Sequence, residues 1–181
     1  MNLDQLYQNV IANYRRWKMA NPDTWVMHAA NQPNLHDAIT IAATCRDHNG
    51  KKHPHQYRLQ NIALAQYANS IHGHETALRR ATDFDAILSI AEQARIPGIG
   101  ELTIYDTAVR IGAYLDIWPE RIYLHAGARI GAKGLLPNLS TNVITKDQLP
   151  AAFQHPDLTG YDLEDMMCIY KHVFNRPRRQ P

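Results

Sequence analysis

The sequence predicts an all-α protein, a compact bundle of six to nine helices. Apolar residues recur at spacings of three and four along most of the chain, which is the period of an amphipathic helix. These stretches end at Gly, Pro or Asn, and no segment alternates apolar and polar residues over the length of a strand. We therefore expect a core formed by the apolar faces of packed helices.

The first helix is predicted over residues 3–19, where the apolar side chains share one face. The Asn-Pro-Asp run at 21–23 ends it, and residues 25–28 are too short a stretch to classify. Asn34 is a suitable N-cap for a second helix that extends to about His48, with Asn49-Gly50 after it.

Three further segments follow before the middle of the chain. Pro54 fits the first turn of a helix that continues to Asn69. Residues 75–80 form a short helical piece. Thr82, followed by two aspartates, indicates the start of a helix over residues 84–94.

The second half begins with a helix from Glu101, expected to bury one face. Pro119 is predicted to open another helix through Leu124. Residues 137–142 read as a loop and residues 162–174 as the last helix. Glycines at spacings of four and three permit either close helix packing or a loop near a ligand; they are Gly127, Gly131 and Gly134.

Composition limits the classes of protein that fit. With 181 residues and 45% hydrophobic content, the chain suits a single helical domain over 1–175, with 1–80 and 81–175 as alternative sub-lobes and a basic tail at 176–181. A net charge of +2 is too small to indicate nucleic acid by itself. The two cysteines form no framework, and neither a leader pattern nor a membrane-length apolar run is present, so we expect a cytoplasmic protein with no membrane partner.

One motif, a glycine-containing turn between two predicted helices, has a pattern that is typical of phosphate binding. Residues 96–100 read I-P-G-I-G between two predicted helices, and Thr103 follows. Glycines let the backbone approach a partner closely, and the N-H groups at the start of the next helix suit a phosphate. Residues 96–116 thus resemble the helix-hairpin-helix superfamily, whose hairpins grip nucleic-acid backbones and whose enzymes include DNA glycosylases.

The resemblance implies that Gly98, Ile99 and Gly100 contact DNA phosphates through backbone groups. Glycosylases that form a Schiff base carry a lysine where this chain has Leu102, and their downstream aspartate has no counterpart here. The resemblance therefore implies backbone binding rather than base excision.

Two acid-free stretches supply local positive charge. One spans residues 121–146 and the other residues 48–74, where five histidines join the cations. The basic residues predicted to bind nucleic acid in these stretches are Arg121, Arg129, Lys133, Lys51, Lys52 and Arg58.

Catalytic chemistry is a further prediction. Asp106 and His125 are the candidate base and proton carrier, although Asp106 and Arg110, four residues apart, also fit a surface ion pair. His36-Asp37, with His28 before it and Asp47 after it, resembles the ligand order of the HD-type metal phosphohydrolases.

A metal site is a further alternative. The two H-x-H pairs, at residues 53–55 and 72–74, could together offer four nitrogen ligands. Nothing in the sequence brings these pairs together, so no metal and no cofactor is assigned.

The hypothesis that best fits these patterns is a DNA backbone-binding protein of helix-hairpin-helix type, with DNA or another polyanion as partner. A glycosylase-like or HD-type enzyme and a helical protein-interaction module stay open as alternatives.

Overall fold

The all-α prediction is confirmed. The computed structural model describes residues 2–176, so all of the predicted basic tail except Arg176 lies outside the described residues. Within 2–176, 63% of residues are helical, and eight of the ten α-helices have seven residues or more. Two single-turn helices take the number just above the predicted range. In this part of the chain, no helix is both long and apolar enough to cross a membrane.

The described residues divide into two compact units. One comprises the N-terminal segment to Asn21 together with the chain from Pro119 onward, and the other comprises residues 22–118. The boundaries therefore fall near residues 21 and 118, not at residue 80, because the first helix packs with C-terminal segments rather than with its sequence neighbours.

The split unit, residues 2–21 and 119–176, contains four helices and a two-stranded sheet. The helices are α1 (Leu3–Ala20), α8 (Ala126–Leu135), α9 (Gly160–Ile169) and α10 (Lys171–Phe174). The strands β1 (Ile122–Tyr123) and β2 (Val143–Ile144) pair antiparallel, with Ile122 opposite Ile144. Short 3-10 helices cover Lys146–Gln148 and Ala151–Gln154.

The core of this unit combines the apolar face of α1 with residues of α8, α9, α10 and the segments between them. Tyr7 packs its ring against Phe153 at 5.1 Å between centroids, and Phe153 in turn meets Phe174 edge to face.

The helix predicted from Pro119 is wrong. Ile122, Tyr123 and Leu124 are all buried, and a strand with cover on both sides accommodates three successive buried side chains where one helix face cannot.

The glycines of α8 serve close helix packing, which was one of their two predicted roles. A Cβ at Gly131 would collide with the Met167 backbone of α9, and one at Gly134 would collide with the Phe174 backbone of α10. Only glycine allows these helix backbones to approach so closely.

The second unit, residues 22–118, is wholly helical apart from an isolated bridge between Arg46 and Lys52. Its helices are α2 (Thr24–Ala30), α3 (Leu35–Thr44), α4 (Asn61–His72), α5 (Glu75–Leu78), α6 (Phe84–Gln93) and α7 (Glu101–Leu115), with a 3-10 helix at Pro54–Gln56. Asn34 caps α3 as predicted, and Asp83 caps α6.

Helix α7 is the centre of this unit and packs against α2, α3 and α6. The sequence predicts one buried face, but Thr103 through Val109 include buried residues on nearly every side of the helix. A helix packed on several sides covers polar residues in its middle turns together with the apolar ones, and α7 carries Asp106 and Arg110 there.

The segment between α3 and α4 departs from the prediction. Helix α3 ends at Thr44 because Cys45 adopts a left-handed conformation, with φ of 58°. Pro54 opens a single 3-10 turn rather than a long helix, and α4 starts only at Asn61. Residues 45–60 therefore form an ordered loop against the unit.

Candidate functional site

Asp106 on α7 lies at the centre of a polar cluster. Its Oδ2 atom accepts a hydrogen bond from His55 Nδ1 at 2.9 Å and another from Gln56 Nε2 at 2.8 Å. Arg110, one turn along the helix, places its guanidinium 3.9 Å from the same oxygen. His53 Nδ1 is 4.0 Å away. The carboxylate therefore connects α7 to the loop that carries both histidines.

Local sequence explains how the loop presents these side chains. The bridge between Arg46 and Lys52 closes the turn, inside which Asp47 accepts hydrogen bonds from the backbone N-H groups of Asn49 and Lys51. Pro54 then fixes the backbone of the 3-10 turn. The histidines on either side of it are thereby held close together.

Two polar side chains of this cluster are buried. Gln56 is completely buried and Arg110 is only 3% exposed. Arg110 makes two long hydrogen bonds, 3.4 Å to the carbonyl of Ala42 and 3.5 Å to Gln56 Oε1, and its Nε has no partner among the described residues. The predicted surface ion pair of Asp106 and Arg110 therefore has a buried cation and a half-buried carboxylate, since α7 is packed on several sides.

The cluster raises the pKa of one member and lowers the pKa of two others. Burial acts to raise the pKa of Asp106, but the hydrogen bond from His55 and the charge of Arg110 outweigh it and lower that pKa. The hydrogen bond to Asp106 raises the pKa of His55. Burial, and then the nearby Arg110, lower the pKa of His53 to about 4. At neutral pH, His53 is thus uncharged.

A pocket of about 530 Å³ opens beside this cluster, lined by Lys51, Lys52, Pro54, His55, Tyr57 and Arg58. Three of these six side chains are cations, and none is an acid. Lys52 is held by a 2.6 Å hydrogen bond to the carbonyl of Leu59, whereas Lys51 and Arg58 are exposed. The structure therefore gathers Lys51, Lys52 and Arg58, three of the predicted binding residues, around one concavity.

The glycine turn between α6 and α7 is exposed in part. Gly98 has φ of 90°, a conformation suited to glycine, and both Gly98 and Gly100 are exposed. Ile99 differs from the prediction, because its side chain is buried and its N-H donates to the carbonyl of Ile96. That N-H is committed to the turn and does not face a ligand.

The remaining predicted site residues belong to the split unit. Arg121 lies over the Tyr123 ring, Arg129 donates to the carbonyl of Thr141, and Lys133 is exposed on α8. His125 is the residue before α8. Within residues 22–118, the imidazole that donates to Asp106 is His55, and the roles of Asp106 and His125 as catalytic base and proton carrier stay predictions.

The HD-type ligand set does not assemble among residues 2–176. Asp37 accepts a side-chain hydrogen bond from Asn34 at the start of α3, and His28 contacts the carbonyl of Arg46. The two H-x-H pairs also separate. His53 and His55 join Asp106, whereas His72 stacks on His36 beside Glu75.

The contact of His55 with Asp106 joins residues that are 51 positions apart. The sequence indicates His55 as part of a positive surface and of an H-x-H pair, but it does not indicate Asp106 as its partner and gives Gln56 no role. The one local indication was the H-P-H triplet, because proline restrains the two histidines around it.

Comparisons of the chain with protein-family models, with curated proteins and with solved structures found no match. The resemblance of residues 96–116 to the helix-hairpin-helix superfamily stays a prediction. The geometry of the site itself is the basis for assigning a function.

Proposed function

We propose that the unit of residues 22–118 binds a polyanion, with a nucleic-acid backbone as its ligand. The observation that carries the proposal is the pocket whose lining contains Lys51, Lys52 and Arg58 and no acid. Phosphate oxygens are the natural partners of such a cation group, and each contact releases counterions from the nucleic acid.

Backbone contact, rather than base readout, fits the side chains of this surface. Lys51 and Arg58 are exposed cations on flexible stems, which suit phosphates at varying positions. Tyr57 is 77% exposed at the pocket and offers a single ring for a base to stack on. We therefore expect weak sequence preference and a modest advantage for single strands.

The turn at Gly98 and Gly100 supports a second phosphate contact. Neither glycine N-H donates to another backbone group within residues 2–176, and both residues are exposed. Along α7, Asp106 lies only about 9 Å from Gly100, at 1.5 Å of rise per residue. Glu101, however, places an exposed acid on the first turn, so we assign the larger contribution to the pocket.

The decisive experiment measures binding of a fluorescent single-stranded and a double-stranded oligonucleotide at several salt concentrations. For Lys51→Ala and Arg58→Ala, the slope of log K against log salt should become shallower by roughly 0.7 to 0.9 for each lost contact. Arg80→Ala is the matched control, because Arg80 is an exposed cation of the same unit outside the pocket lining. Its slope should equal that of the parent.

The hairpin is tested separately with Gly100→Val. Gly100 has φ of −92° and ψ of 167°, which valine adopts readily, and no atom lies within 4 Å of a Cβ placed there. The variant should therefore fold, with a melting temperature near that of the parent, and bind more weakly. Unchanged binding would remove the hairpin from the site while leaving the pocket in it.

A parent chain without salt-dependent binding would overturn the proposal as a whole. The alternative of a helical protein-interaction module would then take its place. Loss of binding in Arg80→Ala as large as in Arg58→Ala would equally argue against a specific pocket.

A further inference from the structure

The two histidines beside Asp106 have a geometry suited to a shared ligand. Their ring centroids are 4.5 Å apart and their planes cross at 76°. A metal ion binds in the plane of an imidazole, along the nitrogen lone pair, so one ion can satisfy two rings only where their planes intersect. The His53 and His55 rings are far from parallel, so their orientation permits a shared ion.

A second group of potential ligands fails the same test. His36 and His72 stack with centroids 3.9 Å apart and planes only 20° from parallel, so no point nearby lies in both planes. Glu75, the third member of that group, is already paired with Arg79 at 2.5 Å. This group therefore serves as an internal comparison for the first.

The distances in the first group are close to those of a tetrahedral centre. Bonds of about 2.0 to 2.1 Å at tetrahedral angles separate two ligand atoms by about 3.3 Å. Asp106 Oδ2 is 2.9 Å from His55 Nδ1 and 4.0 Å from His53 Nδ1. Shifts of under about 1 Å would bring these two distances to that spacing, and the ligand atoms of all three residues lie within 4.8 Å of one another.

We propose that His53, His55 and Asp106 bind one divalent transition-metal ion, with Zn²⁺ as the best match. Two imidazoles and one carboxylate select Zn²⁺ and its first-row neighbours over Mg²⁺ and Ca²⁺, which prefer oxygen ligands. Three protein ligands leave a fourth position for water or substrate. This inference does not depend on nucleic-acid binding.

The surrounding hydrogen bonds suit the proposed ligands. His53 Nδ1 accepts from the backbone N-H of His55 at 3.2 Å, so this nitrogen carries no proton, and a bound ion takes the place of that N-H at its single lone pair. His55 Nδ1 donates to the Asp106 carboxylate, and the ion takes the place of that proton while the ring keeps a proton on Nε2 and stays a neutral ligand. Gln56 Nε2 orients the carboxylate from behind the ligand shell.

The nearby cation does not prevent such a site. Arg110 shares the Asp106 carboxylate and reduces its net charge toward the ion. Zn²⁺ is nevertheless held by three neutral imidazoles in other proteins, so ligand charge is not a requirement. Because His55 also lines the basic pocket, an anion bound there would lie next to the ion and offset the positive charges.

The test uses the full chain without a histidine tag, because tag histidines would bind the metal ion as well and add to the chain's own ten. After treatment with a chelator and its removal, Co²⁺ is titrated into the protein while its visible absorption is followed, and Zn²⁺ is then used to displace it. The parent should bind one equivalent, with the absorption of a tetrahedral site. His55→Gln and His53→Gln should each weaken binding at least tenfold, and Gln56→Ala by about tenfold or more.

His36→Gln is the matched control, because it removes one histidine from the stacked group and leaves the proposed ligands intact. It should bind as tightly as the parent. Circular dichroism and thermal melting of every variant establish that the chain is folded, and two independent histidine variants keep the test decisive if one of them unfolds. The proposal is overturned if the parent shows no saturable binding, or if His36→Gln loses as much affinity as His55→Gln.

Discussion

The substitution Asp106→Asn examines the physical basis of the cluster most directly. Asparagine keeps the shape of the side chain but removes the charge that faces Arg110, which is 3% exposed. At the observed 3.9 Å and an effective dielectric constant near 20, the lost attraction is about 4 kcal/mol. Breaking one side of a buried pair typically costs about 3 to 5 kcal/mol, so the two estimates agree.

The cost should be large because Arg110 has few other partners. Its hydrogen bonds to Ala42 and Gln56 are long and go to uncharged oxygens, which compensate a buried cation poorly. Urea denaturation followed by circular dichroism, with a chelator present, measures the free energy of unfolding. A typical domain has only about 5 to 15 kcal/mol of stability, so the midpoint should fall markedly.

A double-mutant cycle separates the charge pair from other effects of the substitution. Arg110→Met removes the cation while it keeps apolar volume, and it leaves Asp106 with hydrogen bonds from His55 and Gln56. The double variant should be more stable than Asp106→Asn alone, because no unpaired charge stays buried. A loss below about 1 kcal/mol for Asp106→Asn, the value typical of an exposed pair, would refute the reasoning.

Two further predictions concern packing and pH in the rest of the chain. Gly131→Ala should lower the free energy of unfolding by roughly 1 to 3 kcal/mol or more, because its Cβ meets the backbone of Met167, whereas Gly100→Ala, with no atom within 4 Å, should change it little. Thermal and urea unfolding measure both, and equal effects would contradict the close approach. Burial acts to raise the pKa of Asp162, but the hydrogen bonds from Lys18 and from the N-cap of α9 lower it overall. The stability from this carboxylate is therefore present above the ordinary aspartate range and lost as pH falls through the lowered pKa, so parent and Asp162→Asn should converge in stability at acid pH. A difference that widens with acid would refute this.

The helical architecture follows from local sequence to a large extent. The apolar spacing over residues 3–19 predicted α1, which extends over Leu3–Ala20, and Asn34 caps α3 as its side chain suggests. These features depend on the 3.6-residue period and on hydrogen bonds within a few positions, so the sequence contains the necessary information.

The secondary-structure predictions failed where contacts with residues distant in sequence override the local conformational preference. Residues 119–124 have the composition of a helix start, but Ile122 and Tyr123 pair with a strand that comes 20 residues later. Pro54 suits a helix N-terminus, yet its segment makes one 3-10 turn and then a loop against the unit. Short apolar runs fit either conformation, and long-range pairing decides between them.

The candidate site shows the same division. The sequence by itself determined that residues 48–74 carry cations and histidines without acids, and that Asp106 and Arg110 share a helix face. Only the tertiary structure decided that this face is buried and that His55 meets Asp106 across 51 residues. The reason is that the solvation of a charge depends on the elements packed around it. Asp106 and Arg110 on α7 are shielded from water only because α2, α3 and α6 pack around this helix.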